Sequence, residues 1–245
     1  MCTLIVAWQL FESAPICVAA NRDERTGRPS TPPRVREGEP TVVAPRDERA
    51  GGTWIGYNES GLLAAVTNRW VPGDGERSRG LLVDDCLRER SVADALGLVE
   101  SELQRRSYAP FHFLLTDRET CQLVVHDGDG EFVCRPLSAG VHIVVNVGAD
   151  SEWFVPERRP EAGRRQARHA ERVREELRPD DDETAAEWTD RAGAILGDHD
   201  YGVCIHGDGF GTRSSSLIRL GEERVFEFAD GPPCETPFRR IDADV

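Results

Sequence analysis

Residues 1–24, MCTLIVAWQLFESAPICVAANRDE, contain two short apolar runs and end in four polar residues. The runs cover residues 2–8 (CTLIVAW) and 16–20 (ICVAA), and a polar break at 11–15 separates them. Two apolar runs around a polar break are typical of a β-hairpin. The N-terminal segment therefore predicts a hairpin that carries a cysteine at the start of its first strand and polar residues at the end of its second.

The register of this hairpin predicts which side chains lie near Cys2. A turn centred on residues 11–14 pairs positions whose numbers sum to about 25, within one residue, so Cys2 is expected opposite Asp23 and near Asn21. Directly opposed Cβ atoms lie about 4.5–5.5 Å apart. Arg22 beside the thiol favours the thiolate, and Asp23 is suited to hold an ammonium group or to orient the arginine. Alternatively, the polar residues 21–24 form the solvent-exposed end of the second strand.

Cys2 has the chemistry of a nucleophile that carries its own base. Initiator methionine is normally removed when the next residue is small, and removal places a thiol and a free α-amine on one residue. The α-amine has a reference pKa of about 7.7–8, so a useful fraction is unprotonated near neutral pH and accepts the thiol proton. This is the logic of the N-terminal nucleophile enzymes. The alternative for a cysteine on a strand is a small buried hydrophobe.

The composition excludes several other reaction classes. The 30 basic residues among 245 are all arginine, against 44 acidic residues, for a formal charge of −14. Without lysine there is no P-loop lysine, no Schiff-base lysine and no Ser-Lys nucleophile pair. The α-amine of the chain is thus the one amine available as a base.

The same composition restricts partners and surroundings. A strongly acidic surface repels nucleic acid and anionic lipid, and no apolar run approaches the roughly 18 residues of a membrane span. Self-repulsion is tolerable where concentrated salt shortens the Debye length to roughly 3 Å. We therefore predict a halophilic protein of a high-salt cytoplasm. The seven cysteines form an odd set without a CxxC pair, which predicts reduced thiols.

The rest of the chain alternates between strand and helix patterns without a linker, which predicts one α+β domain over residues 1–245. Ser91 with Asp94 resembles a capping box at a helix start. The predicted helices cover residues 80–90, 91–106, 160–178 and 184–196. The predicted later strands cover residues 53–58, 62–67, 111–116, 121–126, 131–135, 141–146, 202–205, 214–220 and 224–228.

Six motifs in order along the chain resemble the NRDE-motif family, also called the transport-and-Golgi-organisation family. They are the Met-Cys start, NRDE (21–24), GGTWIG (51–56), TNR (67–69), SRG (78–80) and GTRSSS (211–216). The resemblance implies a fold of the N-terminal nucleophile hydrolase type, a four-layer αββα sandwich. Members of the family have been connected with Golgi organisation, lipid metabolism and haem trafficking, so it implies no single reaction.

A second resemblance concerns mechanism. Residues 56–68 are similar to the segment of penicillin V acylases and bile salt hydrolases whose last asparagine lines the oxyanion hole. This resemblance implies that Cys2 is the nucleophile and that Asn68 and Asn146 are oxyanion donors, a role suited to neutral amides in a dry site. It also implies that Arg213 replaces a distal arginine. In those hydrolases the acidic partner follows the arginine by three positions, whereas here Asp23 directly follows Arg22.

The predicted catalytic residues are accordingly Cys2, Arg22, Asp23, Asn68 and Asn146, and the predicted substrate-binding residues are Asn21, Trp54 and Arg213. Trp54 is also compatible with a place in the core.

No metal site and no bound cofactor are predicted. Asp198, His199, Asp200, Cys204, His206 and Asp208 lie within eleven positions, but their spacing fits no standard zinc or calcium pattern. Two functions from different classes are open. One is hydrolysis of the C–N amide bond of a small acyl compound by Cys2. The other is a carrier or chaperone that holds a hydrophobic ligand, haem or an acyl lipid, in the same pocket, with Cys204 or His206 as axial ligands for haem.

Overall fold

The structure is a computed structural model that describes residues 2–128 and 131–243, and the described chain divides into two compact units. One unit comprises Met1–Gly27 with Ala139–Asp242, and the other comprises Arg28–Ser138 with Ala243–Val245. The helices are α1 Arg79–Cys86, α2 Val92–Arg105, α3 Pro160–Glu176 and α4 Ala185–Gly197, with a 3₁₀ turn at His199–Tyr201. The strands are β1 Thr3–Trp8, β2 Ile16–Arg25, β3 Ser30–Arg36, β4 Val42–Asp47, β5 Ile55–Asn58, β6 Leu63–Asn68, β7 Phe111–Thr116, β8 Cys121–His126, β9 Phe132–Pro136, β10 Gly140–Val145, β11 Gly148–Ala149, β12 Glu152–Trp153, β13 His206–Gly207, β14 Phe210–Leu220, β15 Arg224–Ala229 and β16 Arg239–Arg240.

The first unit is built on an antiparallel sheet in the order β12-β11-β10-β1-β2-β14-β15-β16, with β13 on β14. The predicted N-terminal hairpin lies at its centre as β1 and β2. Thr3 pairs with Asn21 and Trp8 with Ile16, so the register is one residue from the expected one, within the stated margin. A central strand is buried on both faces, which agrees with the continuous apolar runs of this hairpin.

Strand β2 continues through the polar motif. The alternative of a solvated strand end is wrong, because Asn21, Arg22 and Asp23 are 3%, 7% and 4% exposed. Residues 16–25 pair with β14 over their whole length. Long-range pairing therefore carries the strand five residues beyond its apolar run.

Two helices pack on this sheet. Helix α3 lies over β10, and α4 lies over β2 and β14. Thr184 and Glu187 form a capping box at the start of α4. The buried face of α4 centres on Trp188, which is fully buried and donates its indole N–H to the Leu177 carbonyl at 2.9 Å. An aromatic side chain of this size contributes a large share of the apolar area that holds the helix in place.

The second unit has its own sheet, in the order β3-β4-β5-β6-β7-β8-β9, and its own core under α1 and α2. Ser91 caps α2 as expected, accepting from the Asp94 N–H at 3.1 Å. Aliphatic side chains from the sheet pack there against a group of aromatic rings. Fully buried members of this core include Leu62, Ala64, Tyr108, Phe111 and Phe113.

Strands β3 and β4 belong to this second sheet and were not among the predicted elements. The sequence of β3, STPPRVR, contains two prolines and a single buried residue, which hides a strand pattern. Proline is tolerated there because β3 lies at the edge of the sheet, where one side of the strand needs no partner. Edge position is a tertiary property, so the local pattern alone did not reveal the strand.

The α+β class is confirmed, and the two sheets and two pairs of helices supply the layers of the predicted αββα arrangement. The strand predicted at 202–205 is wrong, since these residues form a loop before the short β13. The prediction of one domain stays a prediction. Among the described residues, no helix combines the length and the apolar character that crossing a membrane requires.

Candidate active site

Cys2 lies immediately before β1, between the ends of two neighbouring strands. Its backbone N–H donates to Asn146 Oδ1 at 3.1 Å, and its thiol donates to the Asp23 carbonyl oxygen at 3.7 Å. The sheet explains both contacts, because β1 pairs with β2 on one side and with β10 on the other. Met1 lies outside the described residues, so its predicted removal stays a prediction.

Asn146 follows β10 and is 1% exposed. Its Oδ1 accepts from Gln166 Nε2 at 3.0 Å as well as from Cys2. Two donors on one oxygen fix the orientation of the amide, with the carbonyl end directed at the Cys2 nitrogen. In this arrangement Asn146 acts on the nitrogen of Cys2 as an acceptor, which the predicted role as an oxyanion donor did not include.

Gln166 was missed by the sequence analysis, although a signal was present. The buried stripe of α3 consists of Gly163, Gln166, Ala170 and Val173, on a helix whose other residues are largely charged. A neutral amide in the core-facing stripe is costly to bury without a hydrogen bond. Such a residue therefore indicates a specific partner, which here is Asn146.

The Asp23 carboxyl accepts a hydrogen bond from a side chain of β14. Thr212 Oγ1 donates to Asp23 Oδ1 at 2.6 Å, and both side chains are buried. Burial raises the pKa of the Asp23 carboxyl above its ordinary value. Thr212 belongs to the GTRSSS motif but was not predicted as a site residue. Its hydroxyl links that motif directly to the NRDE motif.

Burial also raises the pKa of the Cys2 thiol, and the negative charge of Asp23 adds to the rise. The positive charge of Arg22 acts in the opposite direction with a smaller effect. Arg22 thus favours the thiolate as expected, but burial and Asp23 outweigh it, and the thiol is neutral near pH 7. A nucleophilic role requires a base that removes the proton during the reaction.

Asn21 uses its whole side-chain amide inside the protein. Nδ2 donates to the carbonyl oxygens of Leu196 at 3.0 Å and Val203 at 2.9 Å, and Oδ1 accepts from the Ser215 hydroxyl. An amide NH₂ has two donors, so both are committed. These contacts support a structural role, and they give no support to the predicted role of Asn21 in substrate binding.

The two predicted arginines of this unit lie on adjacent strands. Arg22 is buried and pairs in register with Ser214 of β14. Arg213 lies at the irregularity between Thr212 and Ser214, where the register with β2 shifts. Bulges of this kind redirect a side chain and are frequent next to active sites. Within the described part of the chain, Arg213 Nε is buried without a hydrogen-bond partner.

The remaining two predicted site residues belong to the other unit. Asn68 ends β6, opposite Phe111 of β7, and its side chain is exposed. Trp54 is half-buried just before β5, and its carbonyl accepts from the Val66 N–H at 2.9 Å. Their roles beside Cys2 stay predictions.

A second group of donor side chains lies in the same unit as Cys2. Their ligand atoms all lie within 4.8 Å of one another. Three of them belong to the run 198–208 that was considered above, and the fourth is distant in sequence. We call this group the thiol–imidazole cluster; its members are His199, Cys204, His206 and Cys234.

Solved structures identify the fold. A penicillin V acylase from Agrobacterium tumefaciens is 15% identical with a TM-score of 0.56, over 93% of this chain and 82% of that chain. A variant of the conjugated bile acid hydrolase from Clostridium perfringens is 13% identical with a TM-score of 0.54, over 98% and 92%. A Caenorhabditis elegans orthologue of N-acylethanolamine-hydrolyzing acid amidase is 12% identical with a TM-score of 0.57, over 88% and 92%. The fold is that of the N-terminal nucleophile hydrolases.

The family follows from the sequence. The sequence model of the family described as Transport and Golgi organisation 2 matches residues 1–231, and the chain belongs to this family. The resemblance based on the six motifs is thereby confirmed. No curated protein matches the chain by sequence.

Proposed function

We propose that this protein is a cysteine N-terminal nucleophile hydrolase that cleaves the C–N amide bond of small acyl compounds, with Cys2 as nucleophile after removal of Met1. The observation that carries the proposal is the contact between the Cys2 nitrogen and Asn146 Oδ1 at 3.1 Å. This nitrogen becomes the α-amine when Met1 is removed. The contact therefore supports an amine that is held in place on the same residue as the thiol.

The electrostatics of the site support a neutral resting thiol and a separate base. Burial raises the pKa of the Cys2 thiol, and Asp23 raises it further. A free α-amine has a reference pKa of about 7.7–8 and is a suitable proton acceptor near neutral pH. Asn146 Oδ1, fixed by Gln166, accepts a hydrogen bond from this nitrogen, which leaves the lone pair of a neutral amine available for the thiol proton.

The reaction proceeds in two halves. The α-amine takes the thiol proton, the sulfur of Cys2 attacks the carbonyl carbon, and the carbonyl π electrons move to oxygen. When this intermediate collapses, the C–N bond breaks and the ammonium group returns its proton to the leaving nitrogen. Water then adds to the thioester while the amine again accepts a proton, and collapse releases the carboxylic acid and restores the thiol.

Two further roles complete the proposal. Neutral amide donors stabilise the oxyanion in the transition state, and Asn68 is the candidate donor. Arg213 is the candidate partner for a polar group of the substrate, since its Nε is buried without a hydrogen-bond partner in the described residues. Penicillin V, conjugated bile acids and N-acylethanolamines, which the names of the structural neighbours specify, are the first compounds to test.

The experiment combines mass, labelling and turnover. Intact-mass analysis is expected to find loss of Met1, and iodoacetamide is expected to modify Cys2. Cys2→Ala is expected to lower kcat/KM by at least about 1,000-fold on any amide that is cleaved, because the nucleophile is removed. Cys134→Ser, which removes an exposed thiol in the other unit, is the matched control and is expected to retain full activity.

Retention of Met1 in the active protein would contradict the proposal, since the α-amine would then be on another residue. Turnover by Cys2→Ala at the wild-type rate would contradict it as well. The similarity to acylases and hydrolases favours the enzyme over the carrier of haem or acyl lipid. The carrier would bind its ligand with the same affinity in Cys2→Ala and cleave none of the three amides.

A further inference from the structure

The thiol–imidazole cluster joins four donor atoms from three separate segments. Cys204 Sγ lies 3.5 Å from Cys234 Sγ. His206 Nε2 lies 3.1 Å from the Cys234 sulfur and 3.7 Å from the Cys204 sulfur. The rings of His199 and His206 have centroids 5.2 Å apart. Two sulfurs and two imidazoles thus converge on one point of the first unit.

We infer that the thiol–imidazole cluster is a tetrahedral zinc site. Zinc takes thiolate ligands at about 2.3 Å and imidazole nitrogens at about 2.0–2.1 Å, which sets tetrahedral S···S separations of about 3.8 Å and N···S separations of about 3.6 Å. The S···S distance of 3.5 Å and the N···S distances of 3.1 and 3.7 Å lie within about 0.5 Å of these values, and the His199 nitrogen lies within 4.8 Å of the other three donors. Two thiolates also balance the charge of Zn²⁺.

Local backbone features bring the ligands together. The 3₁₀ turn that begins at His199 ends at Gly202, whose φ of 63° reverses the chain toward Cys204. This φ lies in the left-handed region that favours glycine, and a β-carbon at this position would lie 2.1 Å from the His169 ring, which would have to move. Cys234 lies in a turn in which the Pro232 carbonyl accepts from the N–H groups of residues 235 and 236.

A carboxylate lies near the second ring nitrogen of one ligand, beyond hydrogen-bond distance. His206 Nδ1, the ring nitrogen that does not contact the sulfurs, lies 3.9 Å from the Glu235 carboxylate. Metal-binding histidines commonly donate this second ring N–H to a carboxylate, and a rotation of the exposed Glu235 side chain would bring it within that distance. Four protein ligands leave no open position, so the site is structural and not catalytic.

The geometry disfavours two other uses of these residues. Haem iron takes at most two axial protein ligands, one on each face of the porphyrin plane, whereas this cluster directs four donors at one point. A disulfide between Cys204 and Cys234 would use the two sulfurs but would give no reason for two imidazoles beside them. The expectation that the chain holds no metal rested on residues 198–208 alone and did not include Cys234.

The zinc site would stabilise the loop around Cys204, which is hydrogen-bonded to strands of the candidate active site. The Val203 carbonyl accepts from Asn21, which precedes Asp23 on β2. The Ile205 N–H donates at 2.9 Å to Thr212 Oγ1, which in turn donates to Asp23. The loop that carries Cys204 is therefore hydrogen-bonded on both sides of this cysteine to the strands of the NRDE and GTRSSS motifs.

The test uses the full chain under reducing conditions. After treatment with a chelator, the protein is titrated with Zn²⁺ alone, and bound zinc is measured by mass spectrometry of the metal. We expect one zinc per chain and a higher midpoint of thermal unfolding. Co²⁺ alone is expected to give the intense visible bands of tetrahedral cobalt and thiolate charge-transfer absorption. Cys134→Ser is expected to behave like the wild type.

The ligand variants make the proposal falsifiable. Cys204→Ser and Cys234→Ser are expected to bind zinc at least about 100-fold more weakly, more than loss of an outer partner costs. The Cys234 side chain is exposed, so Cys234→Ser is expected to keep the wild-type circular dichroism. The proposal is overturned by an absence of bound zinc, by wild-type affinity in Cys234→Ser, or by isolation of the protein with Cys204 disulfide-bonded to Cys234 and no metal. The readouts are metal content and spectra, so a negative result would overturn the zinc site without bearing on the proposed hydrolysis.

Discussion

Replacing Asn21 with leucine separates a structural role of this residue from a role in substrate binding. The side chain is 3% exposed and makes three hydrogen bonds, to the carbonyls of Leu196 and Val203 and with the hydroxyl of Ser215. Leucine has a similar volume and fills the space, so the change removes hydrogen bonds without leaving a large cavity. Three buried polar groups then lose their partner.

The expected loss of stability follows from these three groups. A buried polar group left without its partner costs about 1–3 kcal/mol. The costs are not additive, and single substitutions above about 4–5 kcal/mol are exceptional. We therefore expect Asn21→Leu to lower the free energy of unfolding by about 3–5 kcal/mol. For a chain of this size this corresponds to a fall in Tm of roughly 10 °C.

Thermal and urea denaturation followed by circular dichroism measure this change. Asn58→Leu is a matched control, because Asn58 is fully buried in the other unit and donates to the carbonyls of Leu87 and Glu89. It is expected to be destabilised to a similar degree while leaving the Cys2 site intact. A loss below about 1 kcal/mol for Asn21→Leu, combined with loss of amide cleavage, would refute the structural role and restore the role in substrate binding.

Three further outcomes are expected. Burial lowers the pKa of His112 from 6.5 to about 3, and Arg69 and Arg135 add to the effect. Because the unfolded state binds the proton first as the pH falls, the free energy of unfolding is highest above pH 6.5 and is about 2 kcal/mol lower at pH 5. In His112→Gln, urea denaturation at a series of pH values should not show this decrease. Burial raises the pKa of Asp23, so the free energy of unfolding decreases as the pH rises from about 4 through that raised pKa. Asp23→Asn should remove this decrease. The same pH dependence in wild type and Asp23→Asn would contradict a raised pKa at Asp23. The charge of −14 predicts unfolding in dilute buffer and refolding in concentrated salt; a circular dichroism spectrum unaffected by salt would refute it.

Local patterns were sufficient for the elements whose signals lie within a few residues. The strands β7 and β8 have the predicted bounds, and the hairpin of β1 and β2 is correct to within one residue of register. The cap of α2 follows from Ser91. Hydrogen bonds between a capping side chain and a backbone three residues away need no information from elsewhere in the chain.

The candidate site was predicted in part. Placement of Cys2 near Asp23 depends on a single tight hairpin, and a short turn limits the register to within one residue. Gln166 and Thr212 were missed because their partners, Asn146 and Asp23, are 20 and 189 positions away. The motifs carry no information about these contacts, which depend on the packing of α3 and on the register of β14.

The sequence by itself determined the family, the α+β class and the chemistry available to the site, because residue types and local spacing are written in it directly. The absence of lysine leaves the α-amine as the available amine whatever the fold. Only the tertiary structure decided which atoms meet. Pairing of β2 with β14 buries the NRDE motif, and a turn after β15 brings Cys234 to Cys204 across 30 positions. Contacts of that range depend on the summed geometry of strands and turns, which no local pattern contains.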